Sequence, residues 1–364
     1  MAGLKQPLLG IVATALVIIV ALTFISLFEL PVFTGWVSYF LLCVIPMQII
    51  TAVLWGSNPA FAARQPQPLK GLTLTISTLV VGAIVAAVSF ATIGGSISPP
   101  TPMLAMCSIV SVVITFWAAI MWGGWPFTAV FKNPIVAGLT TLVACYVVNY
   151  LLFRVFFDYG FMRDAPVYVA AQDPGGLFPA WHALVFYLTC LSVMFLMLNF
   201  DLWPLTTSPS VMKQPRLGAV WTLIVLVLAA VVFYVGVVLP ATDPVAFMVR
   251  VPVPFIFGTI VVQNMLKGSL FARQTQPVKG VLNVVAVIVI GQVLSRLYAA
   301  LAPTVTGPLK AGPPPYDFEI WLASALLSVT FPLLIFYAEF FQFWPLQKVS
   351  ARSEVLAAAS PTRS

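Results

Sequence analysis

Ten apolar stretches, each long enough to cross a lipid bilayer as an α-helix, follow one another along this chain. A membrane-spanning helix needs about 20 apolar residues. Only 7% of the 364 residues are charged, whereas a soluble domain carries about 25%, so most of the surface must face lipid. We therefore predict an all-α integral membrane protein with the lipid bilayer as its solvent. The predicted spans are 8–29, 35–55, 71–94, 103–124, 135–157, 178–200, 217–240, 249–266, 280–302 and 319–343.

A short basic segment that contains a proline precedes each odd-numbered span and leads to a glycine. We call these segments lead-ins; Lys5-Gln6-Pro7 before Gly10 is the first of the five. Proline suits the first turn of a helix, where its missing N–H costs nothing, and a basic residue before it lies at the level of the lipid headgroups. The five glycines are Gly10, Gly71, Gly138, Gly218 and Gly280, and they are separated by 61, 67, 80 and 62 residues.

Recurrence at such a period is typical of repeat architecture, and each interval fits one antiparallel pair of membrane helices. We predict five repeated antiparallel hairpins in a single polytopic transmembrane domain, residues 1–348, followed by a short disordered cytoplasmic tail, residues 349–364. If the copies encircle an axis, one set of helices, odd or even, lines it. In helix count and hairpin repetition only, this plan resembles the tellurite-resistance/dicarboxylate and slow anion channel group. The hairpins are about 5–60, 61–131, 132–212, 213–272 and 273–348.

Basic residues are concentrated on the side of the membrane where the odd-numbered spans begin. We call this the lead-in side, and the opposite one the far side. Cytoplasmic loops are enriched in Lys and Arg, so both termini are predicted to be cytoplasmic and the protein to be a multi-pass inner (plasma) membrane protein. Twelve basic residues lie on the lead-in side: Lys5, Arg64, Lys70, Lys132, Lys213, Arg216, Lys267, Arg273, Lys279, Lys348, Arg352 and Arg363. Five lie at or near the far side: Arg154, Arg163, Arg250, Arg296 and Lys310.

Several kinds of chemistry are excluded by missing residues. His182 is the single histidine, so this chain alone cannot build a bis-histidine haem site or a multi-histidine metal centre. No phosphate-binding Gly-Lys-Ser/Thr motif and no Gly-x-Ser-x-Gly motif is present. The basic residues form no dense cluster, so nucleic acid is not expected as a partner. We predict no metal, no cofactor and no catalytic residue; the four cysteines, without paired spacing, are read as small buried residues.

Two arginines inside spans are the strongest site candidates, because charge within a membrane is costly. Arg154 lies sixteen residues after Gly138, and Arg296 lies sixteen residues after Gly280. At about 1.5 Å per residue both lie about 24 Å from their glycines, in the outer part of the membrane. They either face the bundle interior and bind an anion through bidentate hydrogen bonds, or extend to the outer headgroups. The neighbouring candidates for substrate binding are Tyr150, Asn149, Gln292 and Asn283.

Glu339 is the one carboxylate inside a span near the lead-in side. Intramembrane carboxylates often carry protons in transporters, so Glu339 is the candidate for proton coupling. Pairing with a basic residue or reaching to the interface is the alternative role for this side chain.

These features predict a membrane channel or secondary transporter for a small solute, with an anion or weak acid favoured by the two arginines. The alternative is an integral membrane anchor or subunit of a larger membrane complex without a catalytic site of its own, which the scarcity of intramembrane charge also fits. A homo-oligomer or a membrane-complex partner is compatible with either hypothesis. A membrane enzyme acting on lipid is less favoured, because such enzymes need clustered His, Asp or Glu near one face.

Overall fold

A computed structural model describes residues 4–347 and has ten helices that are long and apolar enough to cross a membrane. This confirms the prediction of an all-α multi-pass membrane protein. The predicted tail, residues 349–364, lies outside the described residues, as does Lys348. The helices are α1 (Leu8–Ile25), α2 (Leu30–Leu54), α3 (Leu69–Thr92), α4 (Pro102–Met121), α5 (Pro134–Phe156), α6 (Ala180–Asn199), α7 (Arg216–Val238), α8 (Pro244–Met265), α9 (Val278–Val305) and α10 (Asp317–Phe340).

The even-numbered helices are the interior of the molecule. In each of them, between 61% and 78% of the residues in an apolar 18-residue segment are buried, against 17% to 44% in the odd-numbered helices. The even-numbered helices contact one another in a closed cycle, in which α2 packs on α4, α4 on α6, α6 on α8, α8 on α10, and α10 again on α2. We call these five helices the ring.

The odd-numbered helices lie outside the ring, each in the groove between two ring helices. Helix α3 packs on α2 and α10, α5 on α4 and α2, α7 on α6 and α4, α9 on α8 and α6, and α1 on α10 and α8. The most extensive antiparallel contacts therefore join each ring helix to the odd-numbered helix that follows it, and α10 to α1. The predicted hairpins pair each odd-numbered helix with the next even-numbered one, and their repetition stays a prediction.

The lead-ins attach the outer helices to the ends of ring helices. The side-chain amide of Gln214 donates to the carbonyl of Met121 at the end of α4 (2.8 Å), and its oxygen accepts from the backbone N–H of Gly218 (3.1 Å). One glutamine thus satisfies a free carbonyl of the ring helix and a free N–H in the first turn of the outer helix. We call this arrangement a glutamine clasp. It recurs at Gln6 to Met265 O (2.9 Å) and at Gln67 to Phe340 O (2.7 Å). A variant is found at Gln276, which accepts from the Gly280 N–H but donates to the side-chain carboxylate of Asp201 just after α6 (2.8 Å).

The lead-in glycines are needed for this close approach. A Cβ atom at Gly218 would lie 2.5 Å from the Trp122 ring, and one at Gly138 would lie 2.4 Å from Trp55. Helix α5, which has no clasp glutamine, is attached instead by Trp55, whose indole N–H donates to the carbonyl of Pro134 (2.9 Å). The lead-ins are therefore docking elements as well as helix starts.

Each ring helix ends in the same backbone shape, a pair of left-handed residues. Four of the five also widen into a π-helical turn just before that pair, and three of these turns end at the residues whose carbonyls accept the clasps, Met121, Met265 and Phe340. Where the pair lacks glycine the backbone is strained, because a side chain disfavours positive φ. The pairs are Gly56-Ser57, Gly123-Gly124, Asp201-Leu202, Lys267-Gly268 and Gln342-Phe343.

On the far side, the long loop between α5 and α6 is folded onto the protein. Its ends form two short parallel strands, β1 (Phe157–Asp158) and β2 (Phe178–Pro179). Asp173 organises its interior by accepting hydrogen bonds from the Tyr159 and Gly175 N–H groups and from the Tyr168 hydroxyl.

Candidate functional site

A cavity of about 500 Å³ lies inside the ring, open towards the lead-in side, and is lined by residues from all five ring helices. We call it the vestibule. Its volume is within the ~300–1,000 Å³ typical of small-molecule sites. Residues near the ends of the ring helices line it, including Gln48 and Val53 of α2, Ile120 of α4, Asn264 of α8, and Asp201 just after α6.

The deep end of the vestibule is closed by large apolar side chains. Phe116 contacts Phe195 (5.3 Å between ring centroids) and also Phe331 (6.0 Å). Six side chains form this deep end, and we call them the apolar plug: Ile49, Phe116, Phe195, Ile260, Phe331 and Ile335. None of the six is more than 7% exposed, so the axis is tightly packed here.

Four plug residues occupy one matched position. Ile49, Phe116, Ile260 and Ile335 each precede the residue that closes the terminal π turn (Trp55, Trp122, Leu266 and Phe341) by six places. Phe195 precedes Phe200 by five places, and α6 is the ring helix without a terminal π turn. Most of the plug therefore comes from one comparable position on the ring helices, to which α10 adds Phe331, four residues before Ile335.

Neutral carboxamides and hydroxyls form the polar wall of the vestibule. Gln263 donates to the Asn199 side-chain oxygen (2.9 Å), Asn199 donates to the Thr259 hydroxyl (3.3 Å), and Asn283 of α9 donates to the Asn199 carbonyl (3.3 Å). Gln48 donates to the Pro332 carbonyl (2.8 Å), and its side-chain oxygen is buried without a protein partner.

Two ion pairs lie at the lead-in end of the ring. Lys267 contacts Glu339 at 2.6 Å, and Asn264 also donates to this carboxylate (3.1 Å). Lys279 contacts Asp201 at 2.7 Å. Burial alone would raise the pKa of Asp201, but hydrogen bonds from Lys279 and Gln276 and the charge of Lys279 outweigh it and lower that pKa. The vestibule mouth thus carries charge of both signs.

The two predicted arginines lie away from the vestibule. Arg154 and Arg296 are both exposed on outer helices, Arg154 on α5 beside α2 and α4, and Arg296 on α9 beside α6 and α8. The structure does not bring them together. Their exposure on the outer surface matches the alternative in which both extend to lipid headgroups.

The remaining predicted residues are divided between the lipid surface, the helix interfaces and the ring. Tyr150 is 44% exposed on α5, and Gln292 donates to the Arg250 carbonyl (2.8 Å). Asn149 is buried and donates to the Cys107 carbonyl on α4 (3.1 Å). Of the seven candidates, Glu339 contacts a residue that lines the vestibule, Asn264. Asn283 lies one residue further away, because it donates to Asn199, which in turn bonds to the lining residues Gln263 and Thr259.

Sequence reasoning missed the plug phenylalanines and Gln48. Phenylalanine in an apolar span carries no signal of its own, because a lipid-facing and an axis-facing phenyl look alike. Gln48 could have been recognised as a candidate from the sequence, since it is the only carboxamide in its span and follows Pro46 by two residues.

The fold and the vestibule define the class as a multi-pass membrane protein with a five-helix ring around a central cavity that is closed at its deep end. The chain matches no protein-family model, no curated protein and no solved structure at a significant level.

Proposed function

We propose that the protein is a channel or secondary transporter for a small solute, with its pathway along the axis of the ring. The observation that carries this proposal is the vestibule, to which every ring helix contributes side chains. Transporters built from repeats often place their pathway where the repeats meet. The five-hairpin repeat, which we propose as the origin of the ring, is supported by the matched plug positions and the recurring clasps.

The plug is the proposed barrier of this pathway. A hydrophobic constriction stops ions and polar solutes because they cannot shed water there, and it conducts when its side chains move apart. Movement of the three phenyl rings, Phe116, Phe195 and Phe331, would open the deep end of the vestibule towards the far side.

The vestibule wall favours a small polar solute that forms hydrogen bonds. Carboxamide N–H groups and the basic residues of the lead-in side, which we propose to be the cytoplasmic face, make an anion or weak acid the first class to test. Arg154 and Arg296 do not support this preference, because both are exposed on outer helices. Glu339 stays a candidate for proton coupling, although its pairing with Lys267 supports the structural alternative equally.

The test is flux into proteoliposomes, with a panel of small anions, weak acids, neutral polar solutes and cations. We expect the Phe331→Ala variant to increase the flux of the transported class, because it removes the phenyl that crosses the axis. Phe61→Ala, at a phenylalanine 44% exposed on a lead-in-side turn, is the matched control and should leave flux unchanged. If neither wild type nor Phe331→Ala passes any solute of the panel, the transport proposal fails.

A subunit or anchor of a membrane complex is the second candidate, and the tightly packed plug favours it, because a scaffold needs no open axis. A partner that copurifies from native membranes at fixed stoichiometry, together with absent flux, would support this second candidate.

A further inference from the structure

A second cavity lies on the outer surface of the protein, away from the vestibule. It has a volume of about 360 Å³ and lies between α4, α5 and the short helix Phe127–Val130. Three tryptophans, Trp117, Trp122 and Trp125, line it together with Ala144 and Leu152 of α5. We call it the tryptophan groove. Its α5 wall runs from Thr141 to Leu152, about 16 Å at the usual helical rise, so the groove extends from the lead-in side well into the membrane.

Three polar groups beside the groove already have partners. The indole N–H groups of Trp117 and Trp122 both donate to the Thr222 hydroxyl of α7 (2.9 and 3.2 Å). The Thr141 hydroxyl donates to the Ala137 carbonyl within its own helix (2.8 Å). These three groups offer no free donor to a polar ligand, and the lining deeper than Trp125 is mostly apolar, which favours an apolar occupant at this depth.

Basic residues stand at the lead-in end of the groove. Lys132 lies two residues before α5, and Lys213 and Arg216 lie at the start of α7. The clasp from Gln214 to Met121 holds the start of α7 beside the end of α4. All three basic side chains are exposed, and the described part of the chain shows no ion pair for any of them. Exposed basic residues at this level attract anionic headgroups.

The apolar depth and the basic end together identify the occupant. We propose that the tryptophan groove binds one acyl chain of an anionic phospholipid from the lead-in-side leaflet, with the headgroup at Lys132 and Lys213. The site is independent of transport, but it lies against the π turn Trp117–Met121 of α4, which also carries Ile120 in the vestibule wall. A bound chain therefore packs behind a segment of the ring.

The experiment is native mass spectrometry of the purified protein in detergent, titrated with phosphatidylglycerol or with phosphatidylcholine of the same chains, with melting temperatures recorded in parallel. Wild type is expected to retain one phosphatidylglycerol and to melt at a higher temperature when it is bound. The double variant Lys132→Gln/Lys213→Gln should bind phosphatidylglycerol about 25-fold more weakly, because each of the two cations near an anionic headgroup contributes a factor of about five. Its surface positions leave the fold intact.

Ala144→Phe fills the groove and should abolish retention of the single lipid. Its matched control is Ile76→Phe, at an exposed apolar position of α3 away from the groove. Lys5→Gln is the charge control. Equal retention of both lipids by wild type would overturn the proposal, as would retention by Ala144→Phe at the wild-type level. Loss of binding in both Ala144→Phe and the lysine double variant, with both controls unaffected, would establish it.

Discussion

The phenyl ring of Phe116 on α4 packs against that of Phe331 on α10, with 6.0 Å between centroids and 44° between planes. Helices α4 and α10 are not neighbours in the ring, since α2 separates them on one side and α6 and α8 on the other. The contact therefore crosses the axis. It makes the plug a single packed unit, in which removal of one phenyl leaves a gap on the axis itself.

Cysteine accessibility should locate the plug without knowledge of the solute. Ala52→Cys lies in the vestibule wall, whereas Ile45→Cys lies fully buried about two helical turns earlier on α2. A membrane-impermeant thiol reagent applied from the lead-in side is expected to label Ala52→Cys and not Ile45→Cys. Labelling of Ile45→Cys should appear when Phe331→Ala is added. The four native cysteines are buried and should give little background.

Labelling of Ala52→Cys only from the periplasmic side would contradict the proposed orientation. Labelling of Ile45→Cys in the wild-type plug background would contradict a closed axis. Thermal unfolding of each variant checks that Phe331→Ala, which loses a buried phenyl at a cost of about 3–5 kcal/mol, is still folded.

The glutamine clasps should each contribute measurably to stability. Gln214→Ala leaves both the Met121 carbonyl and the Gly218 N–H without their partner, and an orphaned buried group costs about 1–3 kcal/mol. We expect a lower melting temperature in detergent for Gln214→Ala, and a similar change for Gln67→Ala. Gln65→Ala is the control, because the Gln65 side-chain amide donates only a long hydrogen bond to the Phe61 carbonyl four residues earlier (3.4 Å) and reaches no ring helix in the described part of the chain. A melting temperature equal to that of Gln65→Ala would show that the clasps are not stabilising.

The number and approximate limits of the membrane helices followed from the sequence, because about 20 apolar residues can hardly fold otherwise in lipid. The sequence predicts the start of α8 at residue 249, whereas the helix begins at Pro244. The first residues of the helix are less apolar, but the Asp243 carboxylate caps them by accepting a hydrogen bond from the Ala246 N–H. Which helices form the ring could not be predicted. Lipid is as apolar as a protein interior, so hydrophobic periodicity does not distinguish the two faces.

The same limit explains the outcome for the arginines. Their spacing from the lead-in glycines places Arg154 and Arg296 at the same depth in the membrane. Spacing does not give the rotation about the helix axis, which decides whether a side chain faces the ring or lipid. Conversely, Asn283 and Glu339 were candidates for their polarity alone, and both contact residues that line or adjoin the vestibule. The plug required knowledge that the even-numbered helices meet on an axis.

The packing of α8 on α9 should tolerate no added methyl group. A Cβ atom at Gly258 would lie 2.2 Å from the Val287 carbonyl oxygen, and one at Gly291 would lie 2.1 Å from that of Pro254. Backbone atoms cannot move aside as a side chain can, so Gly258→Ala should destabilise by about 1–3 kcal/mol. Gly35→Ala is the control, because its Cβ would meet only Pro99 at 3.7 Å. Equal melting temperatures for Gly258→Ala and Gly35→Ala would contradict this close contact.

The Asp201–Lys279 pair should make a small contribution to stability that depends on pH. The pKa of Asp201 is lowered in the folded protein, whereas an unfolded aspartate has a pKa of about 3.9. The folded state then binds fewer protons, so the stabilisation is complete above about pH 4 and is lost as pH falls through the folded pKa. Because the Asp201 side chain is 53% exposed, water screens the pair, and we expect at most about 1 kcal/mol. Asp201→Asn should therefore melt slightly below wild type at pH 7, and the two curves should converge as the pH falls below about 4. Asp164→Asn, on the exposed far-side loop, should match wild type at pH 7. A difference for Asp201→Asn that stayed constant with pH would mean that the hydrogen bond from Gln276, rather than the charge, carries the effect.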